Sequence, residues 1–244
     1  MVRFEGVAKR YGRFWALEGL DLEVAPGETL ALLGPNGAGK TTAIRILTGQ
    51  LSPSRGRVFL DGVDVWRFPV RAKARFGYVP DRPYLYGKLT GVELLRFVAG
   101  LYRIPKGEAE RRIEEELSRF RLTRFASALI ETYSHGMRQK LTFAMALLPR
   151  PPVLIVDEPM VGLDPVAART VRELLARYPG SGRAVLFSTH QLELAEAVAR
   201  RVALLHRGRL ELLGTPEEVR RAHGSGTLEE VFLRLTEDAG GALA

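Results

Sequence analysis

Residues 29–49 read TLALLGPNGAGKTTAIRILTG. The opening TLALL is a short continuous apolar run, the pattern of a strand covered on both faces in a parallel sheet. GPNGAGKTT, residues 34–42, satisfies G-x-x-x-x-G-K-[ST], and TAIRILTG continues as a helix that stops at Gly49. The glycines let backbone N–H groups turn inward around phosphate oxygens with no Cβ in the way. Gly34, Pro35, Asn36, Gly37, Ala38 and Gly39 are therefore expected to cradle phosphates, together with Thr42. Lys40 would reach the β- and γ-phosphates, and the Thr41 hydroxyl would hold Mg2+. The residue frequencies of this chain give roughly one accidental match in 200 such chains. The flanking strand and helix make chance the weaker explanation still.

Composition limits what can surround that loop. The chain has 244 residues and 46% hydrophobic content, enough for one core with a subdomain. Apolar runs such as LTFAMALL and PVLIV fall far short of the roughly 18 to 20 residues that cross a bilayer. The N-terminus lacks the charged, apolar and cleavage regions of a secretory signal, so a cytoplasmic chain is expected. Zero Cys rules out disulfides and thiolate metal sites and suits a reducing compartment. The formal net charge is +8, and 30 of the 36 basic residues are Arg, scattered and at most paired, as at Arg111 and Arg112. That reads as a solvated Arg-biased surface rather than a nucleic-acid patch.

Three further apolar runs resemble TLALL: VLIV at 153–156, AVLFS at 184–188 and VALLH at 202–206. Helical stretches such as DPVAARTVRELLARY and HQLELAEAVAR separate them, which predicts the βαβ alternation of an α/β fold. VRFEGVAKRY, ALEGLDLEV and RVFLDGVDV, punctuated by APGE and the Asp61-Gly62 turn, predict a small N-terminal antiparallel β subdomain. Residues 83–150 read as a helical insertion. Thr90 with Glu93 forms a capping box, Ile113, Leu117 and Phe120 mark one helix face, and MRQKLTFAMALL supplies another helix. The expected organisation is a single domain over 1–235. Its core covers 1–82 and 151–214, the helical subdomain 83–150 and a C-terminal extension 215–235, followed by a tail at 236–244. Two short helices are expected around HGSG in the extension.

VLIVDEP, residues 153–159, ends a buried strand in two adjacent carboxylates where solvent first reaches the sheet. Strand alternation predicts that Asp157 and Glu158 point in different directions and take different tasks. Asp157 would bind Mg2+, and Glu158 would orient or deprotonate an attacking water. YSHGMRQK, residues 133–140, places a small polar stretch ahead of another helix, a start that favours an anion.

In combination these motifs resemble an ATP-binding cassette (ABC) ATPase, the nucleotide-binding subunit of an ABC transporter, over about residues 2–235. The resemblance implies a P-loop NTPase core with ATP as substrate and Mg2+ as cofactor. It also implies a head-to-tail dimer with a second copy or a related ATPase subunit, and a separate transmembrane permease. YSHGMRQK stands at the family's signature, which covers the γ-phosphate of ATP held by the partner, through Ser134 and Gly136. Here His135 replaces a usual Gly, Met137 a usual Gln and Tyr133 a usual Leu, a variant resembling the drug, lipid or polymer exporter branch. His190 of STH, residues 188–190, resembles the switch histidine that contacts the γ-phosphate and orients Glu158. Asp164 of GLDP resembles the D-loop aspartate that communicates across the dimer, and it would also cap the helix begun by Pro165. Tyr11 resembles the aromatic that stacks on adenine. Asp81 stands where the family has Gln or Glu, as a shorter Mg2+ or water ligand. The segment 84–89 would face the coupling helix of the permease, which would hold the chain at the cytoplasmic face of the membrane. The rival reading, an ABC-type ATPase acting on nucleic acid, requires a long coiled-coil insertion. Only about 90 residues separate Thr42 from Tyr133, with no sustained heptads.

Overall fold

The computed structural model describes residues 1–222, 224 and 226–237. Most of the expected tail, and His223 and Ser225 of HGSG, lie outside them.

Strands β1 (Val2–Tyr11), β2 (Phe14–Val24), β4 (Arg55–Leu60) and β5 (Val63–Asp64) form the antiparallel sheet, in the order β2-β1-β4-β5. Asp61 and Gly62 join β4 to β5 with φ of 48° and 76°, the left-handed pair that a two-residue hairpin requires.

The second sheet has six strands. β3 (Thr29–Leu33), β6 (Phe76–Val79), β7 (Val153–Asp157), β8 (Ala184–Thr189) and β9 (Arg201–His206) run parallel, and β10 (Arg209–Gly214) pairs antiparallel with β9. Their order is β10-β9-β3-β8-β7-β6. β3, β7 and β8 are buried at every residue, which is why their sequences show no polar alternation. Alternate side chains feed two cores. Leu30, Leu32, Val153, Ile155 and Leu186 pack with helix α1 (Lys40–Leu47) and the antiparallel sheet. Ala31, Leu33, Leu154, Val156 and Phe187 belong to a second core, shared with the helices between residues 91 and 231.

β6 and β10 extend the sheet beyond the four apolar runs read from the sequence. FGYV is only four residues long and belongs to the sheet through its parallel register with β7. RLELLG alternates exposure as an edge strand does.

The insertion contains α3 (Gly91–Leu101), α4 (Lys106–Arg119) and α5 (His135–Leu147), after a short α2 (Pro69–Lys73). Thr90 caps α3 with the expected reciprocal box, Glu93 N donating to its Oγ1 at 3.3 Å and Thr90 N donating to Glu93 Oε2 at 2.8 Å. Tyr133 is a core residue whose hydroxyl donates to the Phe125 carbonyl at 2.6 Å. A Cβ at Gly91 would fall 2.5 Å from that hydroxyl oxygen, so the first turn of α3 closes directly onto it. Helix α6 (Pro165–Arg177) follows β7, and α7 (Leu192–Val198) follows β8. α8 (Pro216–Ala222) and α9 (Leu228–Glu237) bury Val219, Leu228 and Val231 against the same core.

Candidate nucleotide site

The ends of three parallel strands converge. Leu33 of β3 pairs with Thr189 of β8, and Asp157 of β7 pairs with Ser188 of β8. The loop after β3, the carboxylates after β7 and His190 after β8 therefore share one carboxyl edge, where ligands of open α/β sheets bind.

In the loop after β3, Gly39 has φ of 109° and precedes Lys40, the first residue of α1. A Cβ on Gly39 would lie 2.5 Å from the Ala16 carbonyl oxygen, and one on Gly34 2.3 Å from that of Leu205. Glycine is needed at both positions for close backbone approach as well as conformation. Lys40 is buried, and its Nζ donates to the carbonyls of Gly34 at 2.6 Å and Pro35 at 3.1 Å. Burial lowers its pKa, an effect opposed by the charges of Glu158 and Asp157.

Asp157 is 3% exposed, and the Ser188 hydroxyl donates to its Oδ1. Burial raises the Asp157 pKa, against the Ser188 hydrogen bond, while Asp81 and Glu158 add like charge and Lys40 opposes them. Glu158 does not continue the strand. Its φ is 49°, and its N–H donates to the Ser188 carbonyl and hydroxyl oxygens, both at 3.2 Å. Turned out of the strand in this way, it lines the same cleft as Asp157. The separation of the two carboxylates thus comes from a backbone turn rather than from strand alternation. Glu158 Oε2 lies 3.0 Å from His190 Nδ1.

The cleft has a volume of about 360 Å³ and is lined by the loop after β3 as far as Thr42, by Asp81, Asp157 and Glu158, and by Tyr11 and Phe14. Tyr11 is 48% exposed and Phe14 63%. They face each other across the Gly12-Arg13 turn, and Lys9 Nζ stands 5.4 Å from the Tyr11 ring centroid. Phe14 carries no motif of its own, and its only signal in the sequence is its place opposite Tyr11 in a tight hairpin. Ser188 stands in the STH motif, and nothing in that motif signals its hydrogen bonds to the Asp157 carboxylate and the Glu158 N–H.

The remaining expected residues lie elsewhere. Ser134, Gly136 and Asp164 do not line this cleft. Ser134 caps α5, accepting from Met137 N at 3.2 Å. A Cβ on Gly136 would meet the Gly162 carbonyl oxygen at 2.9 Å, so its close backbone approach is already used within the chain. Asp164 caps α6 through Ala167 N at 2.8 Å and pairs with Lys140 Nζ at 2.6 Å. Lys140 holds the Asp164 carboxyl below its usual range. Tyr84 and Tyr86 are exposed, while Leu85 and Leu89 pack inward. No group of three or more His, Cys, Asp or Glu side chains among the described residues could hold a metal by itself.

The ABC transporter family model matches residues 17–161. The chain belongs to the ABC transporter family. It is an ATP-binding subunit of that family, 37% identical over 243 residues to daunorubicin resistance ATP-binding protein DrrA3 of Streptomyces coeruleorubidus, an alignment covering 100% of this chain and 77% of the relative. A solved ATP-binding subunit of an ABC transporter superposes with a TM-score of 0.92 at 35% identity, covering 96% of this chain and 99% of that one. The ATP-binding cassette MJ0796, solved as a dimer in a post-hydrolysis state bound to ADP and Pi, superposes with a TM-score of 0.80 at 26% identity, covering 88% and 98%. Among the described residues of this ABC subunit, no helix is long and apolar enough to cross a membrane.

Proposed function

We propose that this ABC subunit hydrolyses Mg-ATP between two chains paired head to tail and so drives an exporter whose membrane-spanning part is a separate permease. One observation carries the reading. The capped tip of α5, with Ser134 exposed, stands outside the cleft that holds Lys40, Asp157 and Glu158. A nucleotide in that cleft can meet such a tip only from another chain. The MJ0796 dimer with ADP and Pi supports this arrangement, and the likeness to a drug-resistance subunit supports export.

Tyr11 and Phe14 offer an aromatic wall for the adenine. The loop from Gly34 to Thr42 binds the phosphates, with the Lys40 ammonium exchanging its present carbonyl partners for phosphate oxygens, a charge-assisted and stronger bond. The donor set suits Mg2+ as well. Thr41 supplies a hydroxyl, and Asp157 a buried carboxylate whose ionised form needs a cation beside it. Asp81 adds a shorter reach from the cleft wall. When bound, Mg2+ supplies charge neutralisation for the phosphates.

Glu158 orients the attacking water and takes up its proton, and His190 holds the Glu158 carboxylate in place. Ser134 and the N-terminus of α5 complete the γ-phosphate contacts of the partner's nucleotide. Hydrolysis and phosphate loss remove those bridging contacts and open the pair. Ser134→Arg tests the reading: nucleotide binding by the monomer is expected to persist while ATP-induced dimers disappear in size-exclusion chromatography. Loss of monomer binding would place the α5 tip in the chain's own site and overturn it.

A further inference from the structure

His135 opens α5, immediately after the Ser134 cap. Its ring lies against Gly162, where φ is +75° and a Cβ would fall 2.1 Å from the ring Cδ2 and 2.4 Å from Nε2. The imidazole therefore occupies the space that a side chain at 162 would take. Two more contacts follow on the same stretch. The Gly162 carbonyl oxygen abuts Gly136, and Lys140 reaches Asp164 at 2.6 Å. Residues 162–164 are thus fastened to the first two turns of α5.

The other end of this turn is Glu158. Val161 N donates to the Glu158 carbonyl at 3.3 Å and Leu163 N to that of Met160 at 3.4 Å, so consecutive tight turns join Glu158 to the fastened segment. Gly162 has a left-handed backbone and no side chain of its own, which would leave this linkage free to shift if nothing filled the gap. The His135 ring, exposed on its outer side, lies against Gly162 and narrows that freedom by contact.

We infer that His135 is a positioning residue that locks the D-loop turn to the α5 tip of its own chain, coupling the two nucleotide sites of the dimer. The inference rests on the head-to-tail reading above. There, the α5 tip of a chain closes on the partner's nucleotide, while Glu158 of the same chain serves the nucleotide in its own cleft. Closure at one site is then carried through His135 and Gly162 to the water-orienting carboxylate of the other. Coupling of this kind needs a contiguous route between the two sites, and the hydrogen-bonded turns of 158–164, held to α5 by His135 and Lys140, connect Glu158 to the α5 tip.

The test compares ATP hydrolysis by the parent with His135→Ala, His135→Phe and Gly162→Ala. Cooperativity over two sites gives the parent a Hill coefficient of up to about 2. His135→Ala, which removes the ring, and Gly162→Ala, whose Cβ displaces it, are expected to bring it to about 1 and to lower kcat roughly tenfold. His135→Phe keeps a flat ring in the gap and is expected to recover most of both. His135→Ala in a Glu158→Gln background is expected still to form the ATP-bound dimer. Parental turnover and cooperativity in His135→Ala would overturn the inference, as would failure of that double variant to dimerise while Glu158→Gln alone does. Failure of Glu158→Gln alone to dimerise would instead sink the head-to-tail reading itself.

Discussion

Glu158 Oε2 lies 3.0 Å from His190 Nδ1, while the backbone that carries the carboxylate is bent into a left-handed turn held by Ser188. A non-glycine residue in that conformation costs of order 1–2 kcal/mol. The turn points the carboxylate into the cleft instead of into the sheet. Glu158→Gln is expected to lower ATP turnover by about two to three orders of magnitude, the usual range for loss of a general base. ATP binding should survive and a nucleotide-bound dimer accumulate. His190→Ala should lower turnover less, since the carboxylate remains. Steady-state phosphate release and light scattering with ATP check both outcomes, and turnover at the parental rate in Glu158→Gln would contradict the role assigned to it.

Ser188 is wholly buried and serves two partners, donating to Asp157 and accepting from Glu158 N. Ser188→Ala leaves the buried Asp157 carboxylate oxygen without its hydroxyl donor, at a cost of about 1–3 kcal/mol, while Glu158 N keeps the backbone carbonyl of residue 188 as its acceptor. The variant should melt several degrees lower, at about 2–4 °C per kcal/mol for a chain of this length. It should also hydrolyse ATP more slowly, because the Asp157 carboxylate loses its anchor. Unchanged melting in differential scanning calorimetry would show that the hydroxyl bonds contribute nothing net.

Phe14 and Tyr11 stand opposite each other at the mouth of the cleft, and both are about half exposed or more. Removing either ring should weaken nucleotide binding by about 1 kcal/mol, the scale of an aromatic stacking contact. Burial changes little at such exposed sites, so melting without nucleotide should stay near that of the parent. Phe14→Ala is therefore expected to raise the KM for ATP about five- to tenfold with kcat retained. An unchanged KM would remove Phe14 from the site.

Glu116 is 8% exposed and pairs with Arg119 at 2.9 Å, yet burial outweighs that pairing and raises its pKa. The folded chain then holds this proton to higher pH than the unfolded chain does. Stability consequently falls as pH rises from the ordinary carboxylate range through the raised value. Glu116→Gln removes the charge, so it should melt higher than the parent at pH 8 and show a smaller difference between pH 5 and pH 8. Turnover should be unaffected, because Glu116 lies in a different cleft, against Arg150, Arg177 and Tyr178. A lower melting temperature at pH 8 would mean that the ion pair outweighs the burial cost.

Much of this molecule was readable from residue order. The runs at 29–33, 153–156, 184–188 and 202–206 match β3, β7, β8 and β9 to within a residue, because strands covered on both faces have no polar position to obscure them. The caps at Thr90, Ser134 and Asp164 could be read as local chemistry, since a capping side chain and its N–H lie within three residues. β6 and β10 could not be read this way. A four-residue strand with a Gly inside it, and an alternating edge strand, become strands only through their neighbours' hydrogen bonds.

Taken alone, the sequence determined the α/β class, the phosphate loop, the acidic strand end and the capped helix at 133–140, because each is written in residues adjacent along the chain. Only the tertiary structure decided which of them share a cleft. It set Ser188 between Asp157 and Glu158, brought Phe14 to face the loop, left Ser134 outside, and pressed His135 against Gly162. The physical reason is that these relations depend on strand register and on the backbone turns at Glu158 and Gly162. Both are settled by packing and hydrogen bonds between segments some 30 or more residues apart for Ser188, and 27 apart for His135.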